Sequence, residues 1–283
     1  MSSASAPGSS ANLGPGYDVL ALALDLRCRV TVTGAQDWSV LSCGAPADPI
    51  GVSLVRRTAE AAVSDSGPLA VEIESEIPLA RGLGSSAALI TATAGAVRRL
   101  VGGPTDPESL LPIVTEVEGH PDNVAASLFG GLVAVGASGR VRSLDVHPSL
   151  RVLVAIPDSI LPTEEARKAS ALPVETAVAV RTAARMVFLI EGLRTGDPAA
   201  LAESAGDELH ETRRAHLSPI TGRMIEAALS AGALHACWSG AGPSVVAVVT
   251  KETAGTVRSE LADVLGRGYV LSPEVDRQGL LVG

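Results

Sequence analysis

The stretch PLARGLGSSAALITATAGAV, residues 78–97, joins a glycine-rich turn directly to a helical pattern. Gly82 and Gly84 let the main chain approach a ligand closely, and Ser85 and Ser86 place hydroxyls where a helix dipole favours negative charge. Taken alone, the stretch also fits an ordinary serine cap at a helix start. The paired glycines favour a phosphate-binding turn.

Two better-known phosphate-binding motifs fit this stretch poorly. A Walker loop ends in Gly-Lys-Ser/Thr, and the chain has lysine only at positions 168 and 251. Gly82, Gly84 and Ala87 do match the dinucleotide fingerprint Gly-x-Gly-x-x-Gly/Ala. That fingerprint follows a buried parallel strand, which is apolar almost throughout, whereas residues 69–78 carry alternate glutamates. A dinucleotide-dependent oxidoreductase is therefore the weaker alternative.

Composition limits the class of protein. The chain has 283 residues, 46% of them hydrophobic and 19% charged, so it is long and apolar enough to bury a core. Its net charge of −9 provides no basic stripe, which argues against nucleic acid as a partner. Three scattered cysteines indicate neither a disulfide framework nor a zinc site. Without an apolar run of membrane length or a signal-peptide pattern, we expect a cytoplasmic protein with no membrane partner.

Strand and helix patterns alternate along the sequence, which predicts an α+β protein. A domain junction near residue 150 would divide the chain into segments 1–150 and 151–283. The predicted strands lie in 17–34, 69–78, 131–137, 150–157 and near 269–271, and the predicted helices lie in 52–67, 85–100, 107–131 with a break at Gly119-His120-Pro121, 163–231 and 252–266.

Residues 78–88, PLARGLGSSAA, are similar to the nucleotide-binding loop of the GHMP kinase superfamily. In the same order, residues 6–24 resemble its N-terminal motif and residues 238–249 its C-terminal glycine motif. Within the superfamily, SSANLGPGYD (9–18) and EGHPDNVAASLFGGLV (118–133) resemble the homoserine kinases. The resemblance spans nearly the whole chain. It implies the GHMP kinase fold, with an N-terminal ATP-binding domain like domain 2 of ribosomal protein S5 and a ferredoxin-like C-terminal domain.

The resemblance implies a kinase that uses ATP and Mg²⁺ to phosphorylate the side-chain hydroxyl of L-homoserine, a step of threonine biosynthesis. Ser86 and Glu116 are the implied Mg²⁺ ligands, in keeping with the hard oxygen donors that this ion prefers, and Glu118 is the competing carboxylate. The implied ATP phosphate-binding residues are Pro78, Leu79, Ala80, Arg81, Gly82, Leu83, Gly84, Ser85, Ser86, Ala87 and Ala88. A homodimer is a further expectation.

An amino-acid acceptor offers a carboxylate, an ammonium group and a hydroxyl, and arginine is the natural partner of the carboxylate. By the resemblance, Arg167 and Arg214 would bind the carboxylate, with Arg213 as the alternative one position away. Asp18 would meet the ammonium group. The other implied substrate-binding residues are Asn12, His120, Gly240 and Gly242, and the implied catalytic residues are Asn12, Asp122 and Asn123.

Some questions of mechanism and substrate stay open at this point. Asp122 is a candidate base, but positioning and electrostatics can suffice without one. Gly240 and Gly242 are expected to form a turn that supports the phosphate loop. Two alternatives are a GHMP kinase for another small hydroxylated acid and a catalytically silent relative that binds nucleotide or amino acid.

Overall fold

The computed structural model describes residues 1–64, 66–170 and 173–283, which form two β-sheets and the helices that cover them. The strands are β1 (Ser2–Ala11), β2 (Leu20–Gly34), β3 (Ser39–Ser42), β4 (Ala45–Pro46), β5 (Leu69–Ser75), β6 (Leu132–Val135), β7 (Val141–Leu144), β8 (Leu150–Pro157), β9 (His235–Trp238), β10 (Val245–Thr250), β11 (Gly268–Leu271) and β12 (Leu281–Val282). The helices are α1 (Pro49–Ala62), α2 (Ser85–Leu100), α3 (Pro107–Glu118), α4 (Pro121–Phe129), α5 (Thr163–Ser170), α6 (Thr176–Thr195), α7 (Pro198–Glu203), α8 (Glu211–Arg214), α9 (Pro219–Ser230) and α10 (Ala254–Leu265), with a 3₁₀ turn at Ala215–Leu217. The predicted α+β class is confirmed.

The first sheet runs in the order β12–β1–β2–β5–β3–β4, and β6 pairs with β2 and β7. Its centre is the long antiparallel pair of β1 and β2, whose register shifts between Pro7 and Gly8. A side chain at Gly8 would lie 2.8 Å from the carbonyl oxygen of Leu83. The glycine therefore lets the loop that precedes α2 lie directly against β1.

β5 has the half-buried pattern that the sequence predicts. Leu69, Val71 and Ile73 are buried, while Glu74 is exposed. The strand is antiparallel to its long neighbour β2. It is therefore unlike the buried parallel strand that precedes a dinucleotide-binding loop.

α2 is almost wholly buried because its sequence is rich in small residues. Every position from Ile90 to Val97 is buried, and the helix packs against β1 and β2. Alanine combines high helix propensity with little bulk, so the helix can approach both strands closely. Arg98 and Arg99 in the last turn complement the helix dipole. The opposite, N-terminal end of this buried helix is directed at the site described below.

The second sheet runs in the order β11–β8–β10–β9, with every pairing antiparallel. Both faces of β8 are buried, as its nearly continuous apolar sequence indicates. Leu153 and Ala155 face the core beneath α9 and α10, whereas Val152, Val154 and Ile156 belong to the large core shared with the first sheet. A common core thus joins the two sheets.

The end of the chain returns to the first sheet. β12 pairs with β1, Val275 bridges Leu24, and the carboxylate of Asp276 is paired with Arg27. The predicted segment 151–283 therefore contributes a strand to the sheet of segment 1–150. The division at residue 150, at the start of β8, stays a prediction.

Element boundaries depart from the sequence patterns for local reasons. α1 starts at Pro49, ahead of the predicted 52–67, because the carboxylate of Asp48 caps it by accepting from the next free N–H groups. β2 starts at Leu20, since the residues before it form a turn in which Asp18 has a φ of 55°. Among the described residues, none of the helices combines the length and apolarity that crossing a membrane requires.

Candidate active site

A cleft of about 430 Å³ lies where the N-terminus of α2 meets turns from both sheets. This volume falls within the range of about 300–1,000 Å³ that is typical of small-molecule sites. Its wall includes residues of 11–17, 48–54, 78–89, 118–123 and 240–241, together with Thr163, Arg167 and Arg214. Four sequence motifs that are far apart in the chain therefore meet in one cavity.

The loop before α2 is shaped by left-handed backbone conformations. The φ angles of Ala80, Gly82 and Gly84 are 53°, 75° and 66°. A side chain at Gly82 would overlap the carbonyl oxygen of Ser239, and Ser239 Oγ donates a 2.7 Å hydrogen bond to the Gly82 carbonyl. Glycine at position 82 thus allows the loop to lie against the turn that follows β9.

The N-terminus of α2 has no side-chain cap among the described residues, because its N-cap is Gly84. The first N–H groups of the helix therefore lack intrahelical partners at the wall of the cleft, as an anion site requires. Residues 78–86 line the cleft as predicted, but Ala87 and Ala88 do not. Both alanine side chains are fully buried, and the Ala88 N–H donates to the Gly84 carbonyl at 2.9 Å. The predicted contact surface thus ends at Ser86.

Ser86 and Glu118 form a polar pair at this helix end. Ser86 Oγ donates a 2.7 Å hydrogen bond to Glu118 Oε2, and both residues line the cleft. Burial raises the pKa of Glu118, although the bond from Ser86 and the nearby His120 oppose that rise. A hydroxyl and a carboxylate, both hard oxygen donors, therefore lie side by side.

The structure places Glu118, the competing candidate, and not Glu116 beside Ser86. Glu116 is exposed and does not line the cleft. Residues four apart share a helix face, and Glu118 follows the buried Val114 by four positions, whereas Glu116 follows the exposed Pro112. The phase of α3 therefore directs Glu118 inward and Glu116 to solvent.

His120, Asp122 and Asn123 form a hydrogen-bonded row along the cleft. His120 Nδ1 lies 2.9 Å from Asp122 Oδ1, which also accepts the Asn123 N–H at 2.9 Å. Asn123 Oδ1 in turn accepts from Ser9 Oγ at 2.8 Å. Burial lowers the pKa of His120, but the hydrogen bond and the charge of Asp122 outweigh it and leave that pKa raised. A His–Asp pair is thus fixed in place beside the phosphate loop.

Arg214, rather than its neighbour, is brought to the cleft. Only 1% of its surface is exposed, and its Nε donates to the Ala166 carbonyl at 3.0 Å and to Ser170 Oγ at 2.8 Å. Arg213 is directed elsewhere and donates to the carbonyls of Ser170 and Pro173. The side chain available to a ligand at this wall is therefore that of Arg214.

Asp18 and Arg167 pair with each other, with 2.9 Å between Oδ1 and Nη2. Their side chains are 38% and 36% exposed; Arg167 lines the cleft, while Asp18 is not among the lining residues and reaches the cleft wall through Arg167. Asn12 fixes this region, since its Oδ1 accepts the Asp18 N–H and its Nδ2 donates to the Gly240 carbonyl, each at 3.0 Å. Asn12 thereby links the N-terminal motif to the C-terminal glycine turn.

Gly240 lines the cleft, but Gly242 does not. A side chain at Gly242 would overlap the indole ring of Trp238, and the Gly242 N–H donates to the Ser239 carbonyl at 2.8 Å. Gly242 therefore shapes the turn that packs against the phosphate loop.

The contribution of α1 to the mouth of the cleft was not predicted from the sequence. Ile50 and Leu54 of α1 line it together with Leu79. Ile50 and Leu79 are 73% and 67% exposed, which is unusual for large aliphatic side chains. The available signal was an isoleucine just after the helix start at Asp48-Pro49. Thr163 and Tyr17 also line the cleft; Tyr17 belongs to the N-terminal motif, but no role was predicted for it.

Comparison with known families gives matches in both halves of the chain. The N-terminal domain of the GHMP kinases matches residues 53–131, and the C-terminal domain of the GHMP kinases matches residues 189–266. The chain is 34% identical to the homoserine kinase of Desulfitobacterium hafniense, with 98% of each chain covered. It is 39% identical to a homoserine kinase of a Synechococcus species, with 89% of this chain and 84% of the relative covered.

Solved structures agree with these matches. The homoserine kinase of Cytophaga hutchinsonii gives a TM-score of 0.84 at 28% identity, covering 99% of this chain and 96% of the other. The mevalonate diphosphate decarboxylase of Enterococcus faecalis shares the fold, with a TM-score of 0.75 at 17% identity and coverage of 100% and 98%. The chain therefore belongs to the GHMP kinases and, within them, to the homoserine kinase family.

Proposed function

We propose that this kinase transfers the γ-phosphoryl group of ATP to the side-chain hydroxyl of L-homoserine. The observation that carries the proposal is that the Ser86–Glu118 pair and Arg214 line the same cleft. The first is suited to a triphosphate with its cation and the second to an amino-acid carboxylate. Donor and acceptor would thereby be held together in one cavity, which converts a bimolecular reaction into an effectively unimolecular one.

The triphosphate would lie along residues 78–86, where the N–H groups at the start of α2 lack intrahelical partners. The base would then reach the mouth of the cleft, where Ile50, Leu54 and Leu79 offer apolar contact. Burying these exposed side chains against a base is favourable because it removes apolar surface from water. This orientation of ATP places the γ-phosphate near the centre of the cleft.

Mg²⁺ fits the oxygen donors that are present. Among the described residues no group of three or more His, Cys, Asp or Glu side chains could hold a metal ion, but Mg²⁺ at a phosphate site needs only one or two protein ligands beside the phosphates. Ser86 Oγ and Glu118 Oε2 would supply them, and the ion would neutralise charge on the phosphate oxygens. A nearby cation also lowers the pKa of Glu118 and keeps this buried carboxyl ionised.

The amino acid would separate the Asp18–Arg167 ion pair. Its ammonium group would replace the guanidinium at Asp18, and its carboxylate would take Arg167 together with Arg214. An exposed ion pair is worth about 0–1 kcal/mol, so opening this one costs little compared with the two charged interactions that the amino acid would form. The pair is therefore complementary in charge to an amino-acid zwitterion.

The acceptor hydroxyl would lie beside the row of His120, Asp122 and Asn123. Both hydrogen bonds that Asp122 receives within the described part of the chain go to Oδ1, so Oδ2 is the oxygen that can accept a hydrogen bond from the acceptor hydroxyl. Phosphoryl transfer depends mainly on positioning and electrostatic stabilisation. The role that we assign to Asp122 is therefore to orient the hydroxyl, with His120 holding the carboxylate.

ADP release with Mg²⁺ and ATP, measured across L-homoserine, mevalonate, galactose and shikimate, tests the proposal. We expect L-homoserine to exceed the other acceptors in kcat/KM by on the order of 100-fold or more, because they leave charged groups of the site unpaired. Absence of turnover with L-homoserine contradicts the proposal. Preference for another acid would indicate a different GHMP kinase, and binding of Mg²⁺–ATP without any phosphorylated acceptor would indicate a silent relative. A cytoplasmic location and a homodimer stay predictions from the sequence.

A further inference from the structure

His210 lies behind Arg214 and outside the lining of the cleft, with its ring fully buried. Its Nε2 is 2.8 Å from the carbonyl oxygen of Gly14. A carbonyl only accepts, so Nε2 carries the proton, and Nδ1 of the neutral ring is an acceptor. Nδ1 lies 3.3 Å from Nη1 of Arg214, which is a donor. The two contacts therefore specify one tautomer.

The charged groups around His210 are consistent with a neutral ring. Burial lowers the pKa of His210 to about 4, and the charge of Arg214 acts in the same direction, whereas Asp207 opposes it. Asp207 Oδ2 is 3.7 Å from His210 Nε2 and accepts the backbone N–H groups of His210 and Glu211. At neutral pH the imidazole is thus available as an acceptor for the guanidinium.

The guanidinium of Arg214 is almost fully committed to the protein. Four of its five N–H hydrogens have partners among the described residues: the one on Nε, both on Nη1 and one on Nη2. The partners are Ala166 and Ser170 at Nε, His210 and Gly240 at Nη1, and Tyr17 at Nη2. One Nη2 hydrogen therefore remains for a ligand in the cleft.

Tyr17 completes the support of the guanidinium. Its ring stacks on that of His210, with 4.8 Å between centroids and 24° between planes, and Arg214 Cζ lies 5.2 Å from its centroid. Tyr17 also lines the cleft. The tyrosine thus lies between the buried imidazole and the ligand space, and it holds the guanidinium from that side.

We infer that His210 is a positioning residue for the carboxylate of the acceptor. Together with the Gly240 carbonyl, its Nδ1 holds Nη1 of Arg214, which leaves the free Nη2 hydrogen for the carboxylate. This inference rests on the proposed function, since the carboxylate is that of the proposed acceptor. Holding the long arginine side chain before the ligand arrives removes an entropic cost of binding.

Two substitutions test the two ring nitrogens of His210 separately. H210Q places an amide where Nε2 lies and keeps the bond to Gly14, but it removes the acceptor for Arg214. H210N places an amide oxygen where Nδ1 lies and keeps that acceptor. We expect H210Q to raise the KM for L-homoserine by on the order of tenfold without changing the KM for ATP, and H210N to recover most of the loss. Equal effects of both variants on the two KM values would overturn the inference.

L-Homoserinol, which has an alcohol in place of the carboxylate, isolates the interaction. With homoserinol as the acceptor, H210Q and the wild-type enzyme should have the same KM. The carboxylate contact that His210 positions is absent from this substrate. An equally large H210Q penalty with homoserinol would overturn the inference. The exposed His216 provides a matched control, and H216Q should leave both KM values and the Tm unchanged.

A second variant keeps the test valid if H210Q does not fold. H210F keeps a flat ring beside Tyr17 but offers no acceptor to Nη1 of Arg214. It should raise the KM for L-homoserine but not for ATP or homoserinol; an unchanged KM for L-homoserine would overturn the inference. Failure of the proposed function itself is distinguishable, because the wild-type chain would then not phosphorylate L-homoserine at all.

Discussion

Ser86 and Glu118 are joined by a 2.7 Å hydrogen bond across 32 positions of sequence. Ser86 is the second residue of the buried helix α2, and Glu118 is the last residue of α3. Because both helices are packed in the same core, the bond fixes a carboxylate at the helix N-terminus where the phosphate loop ends. The position of this carboxylate in the cleft therefore depends on a long-range contact as well as on the loop.

Replacing Glu118 tests the proposed cation site. E118Q keeps the shape and the bond from Ser86 but removes the charge, so we expect kcat to fall by on the order of 100-fold or more and the Mg²⁺ concentration for half-maximal rate to rise. Steady-state kinetics over a Mg²⁺ titration measures both. The exposed Glu116 is the matched control, and E116Q should behave as wild type. Loss of activity in E116Q with a normal E118Q would return the role to Glu116.

The choice between Glu116 and Glu118 shows one structural feature that the sequence pattern could not predict. A helix ending at Gly119-His120-Pro121 was predicted and is confirmed by α3 and α4. Its rotation about its own axis was not predictable, because apolar residues at 110, 111, 113, 114 and 117 leave more than one possible buried face. Packing of Leu110, Val114 and Val117 decides the rotation. Boundaries follow from local residues, whereas helix phase follows from tertiary packing.

Arg214 tests the proposed carboxylate site. R214K keeps a positive charge but loses the planar fork of donors. A hydrogen bond to a charged group contributes about 1.5–3 kcal/mol. We therefore expect its loss to raise the KM for L-homoserine about 10- to 100-fold. The KM for ATP should not change. R213K is the control, since Arg213 donates to backbone carbonyls away from the cleft. A selective KM effect in R213K would assign the carboxylate to that side chain instead.

Gly82 tests the geometry of the phosphate loop. G82A introduces a side chain that overlaps the Ser239 carbonyl, whereas Gly139, with a φ of 78°, has nothing within 4 Å of an added Cβ. Both variants place alanine in a left-handed conformation at a cost of about 1 kcal/mol. G82A should also displace the loop and lower kcat/KM for ATP by on the order of 100-fold, while G139A keeps full activity. Matching activities in the two variants, measured alongside Tm, would rule out the close approach as the cause.

Glu211 predicts how stability depends on pH. The Glu211 carboxyl accepts the Trp238 N–H at 2.8 Å, and burial raises its pKa to about 8 from an ordinary 4.5. The folded protein holds the Glu211 proton more tightly than the unfolded chain does, so protonation stabilises the folded state. This contribution is present in full below the ordinary pKa of 4.5, and it is lost as the pH rises through the folded pKa of about 8. We expect the free energy of unfolding to fall between pH 7 and 8.5 by on the order of 1 kcal/mol per pH unit.

Denaturant unfolding of wild type and E211Q at pH 7, 7.8 and 8.5 measures this slope. Burial lowers the pKa of His210 and His235 to about 4. Both are therefore neutral in the folded state and mostly neutral in the unfolded state above pH 7, so they add little to the slope in this window. The Cys28 and Cys237 thiols, whose pKa values are raised by burial, add a smaller fall near pH 8.5. E211Q, which cannot titrate, should remove most of the slope. A slope that persists in E211Q would mean that another group causes it.

Contacts between distant segments account for most of what the sequence did not reveal. Motifs indicated the family, and the relatives confirm it. The phosphate-binding role of the glycine-rich loop stays a prediction. The bonds from Ser239 to Gly82 and from Asn12 to Gly240 depend on pairing between residues over 150 positions apart. The return of β12 to β1 is equally non-local. A two-residue strand carries too little pattern to be recognised.

The most direct test is to identify the product. The purified chain is incubated with Mg²⁺, ATP and L-homoserine, and the mixture is analysed by ³¹P NMR with correlation to protons and by mass spectrometry. We predict a phosphomonoester whose phosphorus couples to the γ-methylene protons of homoserine, formed in equal amount to ADP and formed on the order of 100-fold more slowly by E118Q. ADP formation without phosphate on the homoserine oxygen, or no ADP at saturating substrates, would contradict the proposed function.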